Sequence, residues 1–444
     1  MRASVSAATA SSSSPSSSSL RSTEWPGRLG LSAPVLSAAL GLPDPTPDQR
    51  AVIEAPPSPA LVVAGAGSGK TETMSGRVVW LVANGHVRRD EVLGLTFTRK
   101  AAGELAERIE QRLAGIDEFG RRGLLPHLEA LVADGTLAAF WARAGALSPR
   151  ARRAELIAFV DDLAESLGAV PPEQDVAGEA LLSRPRVSTY NAFADAIVRE
   201  HGPRIGRDPD AALMSQSGSW LLARRVVVAS EDERLSERGE AFASVVDAVH
   251  RLAGELLDNR VDAESVARFG DEWAAALEPL TNPALANPGE IEKFHAAMSG
   301  LPVLAGLVND YATRKRAEDT LDFADQVAGA LEIIERAPEV ADQLREQYRV
   351  VLLDEYQDTS VIQTRLLAKV FRDSAVMAVG DPNQSIYGWR GASADNLGAF
   401  PGAFAHGTDC GRFSLMVSWR NDLSILTAAN RLVAGAEHRG VPVG

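Results

Sequence analysis

Residues 61–71 read LVVAGAGSGKT: three apolar strand formers, a glycine-rich turn, a lysine and a threonine. The stretch that follows, 72–83, has helical amphipathicity and runs out near Gly85. A strand, a glycine-rich turn and a helix start in that order build a cradle for phosphate, because backbone N–H groups and the positive end of the helix dipole face the anion. Ala64, Gly65, Ala66, Gly67, Ser68, Gly69, Lys70 and Thr71 are the candidate cradle. Lys70 is expected to reach the β- and γ-phosphates as a point charge, and the Thr71 hydroxyl to bind Mg²⁺. Ala64 stands at the first position, where glycine is usual; the close-approach glycines Gly65, Gly67 and Gly69 remain.

Such a site also needs carboxylates at the end of a neighbouring strand. Residues 348–358, YRVVLLDEYQD, supply them: Asp354 is the candidate metal ligand and Glu355 the candidate general base. Short apolar runs at 61–63, 92–97, 350–353 and 376–379 each precede polar or glycine residues and then a helical period, which is the pattern of a parallel α/β sheet. Two long, mostly helical regions, about 115–183 and 203–320, separate Phe97 from Val350 and read as insertions into one α/β core.

The 444 residues carry 45 Lys+Arg against 59 Asp+Glu, a net charge of −14, which excludes a binder that relies on a broad basic surface. With 45% hydrophobic and 23% charged residues and no apolar run long enough to span a bilayer, no membrane partner is expected and a cytoplasmic location is. One cysteine, Cys410, can form neither an internal disulfide nor a cysteine-rich metal site. Residues 1–24, nearly all Ser, Ala, Thr and Pro, are expected to be disordered.

With these sites in place, residues 45–421 resemble the UvrD/Rep/PcrA helicases of superfamily 1A, motif by motif and in order. Residues 46–49, TPDQ, are similar to the family's adenine-reading segment, which implies that Gln49 pairs with the base. Residues 96–102, TFTRKAA, resemble its first DNA-contacting motif, implying contacts from Thr98 and Arg99, although Arg99 stands where Asn is usual. Residues 188–193, STYNAF, occupy the next DNA motif, with Asn191 in place of His. Residues 321–323, LDF, look like the lead-in to the carboxylate strand. The most family-specific stretch is 379–392, VGDPNQSIYGWRGA: the resemblance implies that Gln384 senses the γ-phosphate, that Tyr387 and Trp389 line the single-stranded DNA path, and that Arg390 is either an ion-pair partner or an ATP-coupling residue. Trp419-Arg420-Asn421 resembles the family's Tyr-Arg-Ser segment and makes Arg420 a candidate arginine finger.

The resemblance implies a RecA-like P-loop NTPase sheet with large helical insertions and a truncated second RecA-like domain. The expected division is a first part of domain 1A at 25–114, a helical insertion at 115–183, a DNA motif of 1A at 184–202, helical domain 1B at 203–320, the rest of 1A at 321–405 and the opening of domain 2A at 406–444. The implied activity is ATP- and Mg²⁺-dependent 3′-to-5′ translocation on single-stranded or 3′-tailed DNA. The 444 residues alone are expected to bind ATP but hydrolyse it poorly, needing a carboxy-terminal half or a partner subunit. Two alternatives stay open: a nucleotide-gated DNA-binding subunit without unwinding, and the ATPase subunit of a helicase-nuclease.

Overall fold

The computed structural model describes residues 29–171, 183–237, 241–280, 288–386 and 395–433. The Ser-rich segment 1–24 lies outside them. Six strands, β1 (Ala60–Ala64), β2 (Val92–Thr96), β3 (Arg186–Thr189), β6 (Val350–Leu353), β7 (Ala375–Gly380) and β8 (Gly411–Leu415), form one parallel sheet in the order β3-β2-β6-β7-β1-β8. Two-residue strands β4 (Ala212–Leu213) and β5 (Thr320–Leu321) pair separately.

The sheet is covered on both faces, which is why its central strands are continuously apolar. Successive side chains alternate between two cores. Leu93, Leu95, Val351, Leu353, Val376 and Ala378 face one, shared with the helices Tyr190–His201, Phe323–Arg336, Val361–Phe371 and Asn396–Phe404. Val62, Val92, Val350, Leu352, Met377 and Val379 face the other, beneath Lys70–Ala83 and Arg99–Gly120. The four apolar runs read from sequence are β1, β2, β6 and β7. The two strands of this sheet not read, β3 and β8, are its edges among the described residues, and Arg186 and Arg412 sit exposed there. Residues 411–415, which the sequence reading assigns to a separate unit opening at 406, thus hydrogen-bond to β1 within this sheet.

The two helical regions are packed differently. In the first, Phe119, Leu128, Leu137, Phe140 and Val160 join the same core as Met74 and Val78, so this segment thickens one face of the sheet. In the second, Leu222, Val226, Val246, Val249, Val303 and Tyr311 form a core of their own. The chain enters and leaves that second body through β4 and β5. There Lys315, only 3% exposed, donates to Asp322 (2.8 Å) and Asp325 (2.6 Å), while its ammonium lies 4.8 Å from the Tyr311 ring centre.

Burial pushes the Asp325 carboxyl above its usual range even with that ammonium beside it. Lys315→Met takes the ammonium from the buried Asp325 and the partly buried Asp322, leaving Asp325 only the more distant Arg207 (3.9 Å), and is expected to cost about 3 kcal/mol. Against the effect of burial, Lys315 holds the Asp322 carboxyl below its usual range, and without the ammonium both carboxyls ionise at a cost that grows with pH, so the deficit in thermal unfolding should be larger at pH 8 than at pH 5. An equal deficit at both would contradict this reading.

Candidate nucleotide site

In the order β6-β7-β1, three adjacent strands end at one rim, and each is followed by one of the sequence motifs. After β1 the chain turns through Gly67 (φ 75°) and Gly69 (φ 83°), the left-handed region that glycine enters without strain. Ser68 closes the turn, its hydroxyl donating to the Gly65 carbonyl at 2.8 Å. Space is as restrictive as backbone angle. A Cβ on Gly67 would lie 2.4 Å from Arg420 Cβ, and one on Gly69 would lie 2.7 Å from Gln49 Nε2. Ala64 is the last residue of β1 and its methyl is buried in the core, so it supports the cradle rather than lining it. Gly65 and Ala66 are exposed at the turn, and Thr71 lies in the first turn of the helix that Lys70 opens.

Gln49 is held by a capping box at the start of the helix Pro47–Ile53. Its N–H donates to Thr46 Oγ1 (3.2 Å) and its Oε1 accepts from Thr46 N (3.0 Å), leaving Nε2 directed at the cradle. The other end of this helix is tied down by Arg77, from the cradle helix. Arg77 is 2% exposed and donates to the carbonyls of Val52 (2.9 Å), Ile53 (3.2 Å), Ala55 (2.8 Å) and Pro56 (3.0 Å). Burial lowers its pKa to about 10, so it stays charged at neutral pH, where a cation at a helix C-terminus is favourable.

From β6, Glu355 turns back toward the cradle and accepts from Lys70 Nζ at 2.7 Å. Its φ of 48° and ψ of 43° are left-handed, a conformation that costs a side-chain-bearing residue about 1–2 kcal/mol. Asp354 is buried; its Oδ1 accepts the Glu355 N–H (3.1 Å) and its carbonyl accepts the Tyr190 hydroxyl (2.8 Å). Burial, and then the charge of Glu355, push the Asp354 carboxyl up to about 6. A hydroxyl and a desolvated carboxylate are hard oxygen donors of the kind Mg²⁺ takes alongside phosphate oxygens. After β7, Asp381 accepts from Gln384 Nε2, and its Oδ2 approaches within 3.9 Å of where a Cβ on Gly65 would be.

The proposed strand-contacting residues occupy the other half of the same rim. Thr98 caps the helix after β2 by accepting from Ala101 N at 3.1 Å, and Arg99 beside it is exposed. Asn191 follows β3; its Oδ1 accepts from Gln363 Nε2 at 2.8 Å, leaving its own amide hydrogens for other partners. Tyr387, Trp389 and Arg390 lie outside the described residues. Arg420 does reach the cradle, because its segment is pinned there: Trp419 N donates to the Gly67 carbonyl (2.9 Å), Ser418 Oγ to the Ala66 carbonyl (3.1 Å) and Met416 N to Asp48 Oδ2 (3.3 Å).

The model of the UvrD/REP helicase N-terminal domain matches residues 45–405. The chain belongs to that family. Among curated UvrD/REP relatives it is similar to the ATP-dependent DNA helicase UvrD2 of Mycobacterium tuberculosis, 29% identical over 88% of this chain and 43% of that protein. It is also similar to UvrD1 of Mycobacterium leprae (24% identity, 87% and 39%) and PcrA of Staphylococcus aureus (24%, 88% and 40%). The chain therefore spans less than half the length of these relatives.

Sequence reasoning missed several residues of this UvrD/REP domain that the structure places around the cradle: Arg77, Tyr190, Gln357 and Asp381. Tyr190, Gln357 and Asp381 stand inside motifs already singled out, which was the available signal. Arg77 carried none, since an arginine on an amphipathic helix reads as a solvated one. Arg77→Leu removes the charged donor from four carbonyls, of which those of Val52 and Pro56 keep the Ala55 and Ser58 N–H groups, and is expected to destabilise the domain by about 3 kcal/mol. Because the loss falls on the Gln49 helix, it should raise KM for ATP severalfold and leave kcat nearly unchanged; a fall in kcat at constant KM would contradict this.

Proposed function

We propose that the chain is the ATP-binding half of a DNA helicase that couples ATP hydrolysis to 3′-to-5′ movement on single-stranded DNA. The observation that carries this is the convergence of Lys70, Asp354, Glu355 and Gln384 at three adjacent strand ends, with Arg420 brought onto the cradle. The family membership and the names of the relatives support it; the polarity rests on the family likeness.

In this reading the backbone N–H groups of residues 65–70 hold the phosphates and Gln49 Nε2 faces the base. Lys70 exchanges its Glu355 partner for phosphate oxygens, which frees the carboxylate to take a proton from water. The water oxygen forms the new bond to the γ-phosphorus, the bond to the β–γ bridging oxygen breaks, and ADP departs with that electron pair. Thr71 and Asp354 would hold Mg²⁺, whose charge offsets that of the phosphate oxygens when it is bound. Arg420 and Gln384 would supply the donors that stabilise charge developing on the γ-phosphate. Thr98, Arg99 and Asn191 would grip the DNA backbone, and Tyr387 and Trp389 would stack bases, a sequence-independent contact of about 1–3 kcal/mol per base. A few local donors of this kind do not need a basic surface, so the net charge of −14 is compatible with DNA binding.

The test is ATP turnover by the whole protein with and without single-stranded DNA, for the wild type, Lys70→Ala and Glu355→Gln. Both variants should lose about 100-fold or more in DNA-stimulated kcat. Lys70→Ala should also weaken nucleotide binding. Turnover that ignores DNA, or Glu355→Gln turnover within severalfold of wild type, would overturn the assignment, and unwinding of 5′-tailed but not 3′-tailed duplex would reverse the polarity.

A further inference from the structure

Gln357 is 1% exposed and lies in the single turn Tyr356–Asp358 that follows Glu355. Both ends of its amide are used. Nε2 donates to Glu355 Oε2 at 2.8 Å, and Oε1 accepts from Asp381 N at 3.1 Å. The orientation of the amide is fixed by chemistry, since an ionised carboxylate only accepts and a backbone N–H only donates. The Gln357 carbonyl also accepts from Ser385 Oγ at 3.3 Å, so one residue is tied to both ends of the turn that carries Gln384. Room for this exists because β7 ends in glycine: a Cβ on Gly380 would sit 2.5 Å from Gln357 Oε1.

We propose that Gln357 is a positioning residue for hydrolysis, holding the Glu355 carboxylate in register with the Gln384 turn across the ends of β6 and β7. The inference rests on the reading that Glu355 takes the proton from water. Two features of the site require such a part. Glu355 has a left-handed backbone and a partly exposed side chain, so its carboxylate needs a fixed donor once Lys70 turns to phosphate. And Gln384 bonds to Asp381, whose N–H is the one Gln357 accepts, so a shift of the Gln384 turn is passed through a single amide to the carboxylate. Gln357 touches neither the cradle glycines nor Lys70 in this network; its effect on the reaction runs through Glu355.

Two near-isosteric variants separate this from a packing role. Gln357→Glu keeps the acceptor for Asp381 N but sets a carboxylate against Glu355, and Gln357→Met keeps the shape and removes both bonds. In the whole protein each should lower DNA-stimulated kcat by about 10- to 100-fold, the scale of a misplaced reacting group, with KM for ATP little changed. Combined with Glu355→Gln, Gln357→Met should add no further loss, because both act through one carboxylate. Losses that multiply in the double variant, a rise in KM with kcat intact, or wild-type kcat in both single variants would each overturn the proposal. If Glu355→Gln itself retains full turnover, it is the assignment of Glu355 that falls.

Discussion

Lys70 and Glu355 meet at 2.7 Å although their strands are not neighbours: β7 lies between β1 and β6. For the pair to form, the cradle must turn toward β6, the chain after β6 must turn back, and the end of β7 must stay out of the way. Each condition is met by a specific residue. Gly67 and Gly69 take the left-handed turns of the cradle, Glu355 accepts a left-handed backbone, and Gly380 leaves room for the Gln357 amide that bonds Glu355. The pair itself holds the cradle lysine and the carboxylate mutually occupied, so in the proposed function a phosphate would compete with Glu355 for the same ammonium.

Around this rim the architecture divides the work. The sheet and its two cores fix the strand ends, and the first helical region reinforces one of those cores through Phe119, Phe140 and Val160. The second helical region keeps a separate core and is joined through β4, β5 and the buried Lys315 cluster. It also rests on the sheet's own layers, since its helix Phe242–Asn259 packs on Phe323–Arg336 and Val361–Phe371 and Arg260 donates to Glu335 at 2.8 Å. The segment of Arg420 is different again, tied to the cradle by the Trp419 N–H at the Gly67 carbonyl and the Ser418 hydroxyl at the Ala66 carbonyl.

Much of this was readable in the residues for a physical reason. Central parallel strands must be apolar on both faces, so β1, β2, β6 and β7 stand out as continuous runs. Edge strands need not be, and Arg186–Thr189 and Gly411–Leu415 have the mixed composition of any exposed segment. Phosphate-binding turns need glycine at fixed spacing, which makes 64–71 conspicuous. The Lys70–Glu355 pair, the Arg77 clamp and the Gln357 bridge depend on strand order and on side chains meeting across the fold, and no local pattern encodes strand order. The capping role of Thr98 and the bond from Gln363 to Asn191 were equally hidden, since both concern where a polar side chain spends its hydrogen bonds.

The competition between Glu355 and phosphate for Lys70 is most directly measured as the affinity of the whole protein for a non-hydrolysable ATP analogue, wild type against Glu355→Gln. Removing the competing charge should tighten binding about threefold to tenfold, the worth of a partly exposed ion pair, and the gain should shrink as salt is raised. Unchanged or weaker binding in Glu355→Gln at low salt would contradict it and show that the ion pair does not hold Lys70 back.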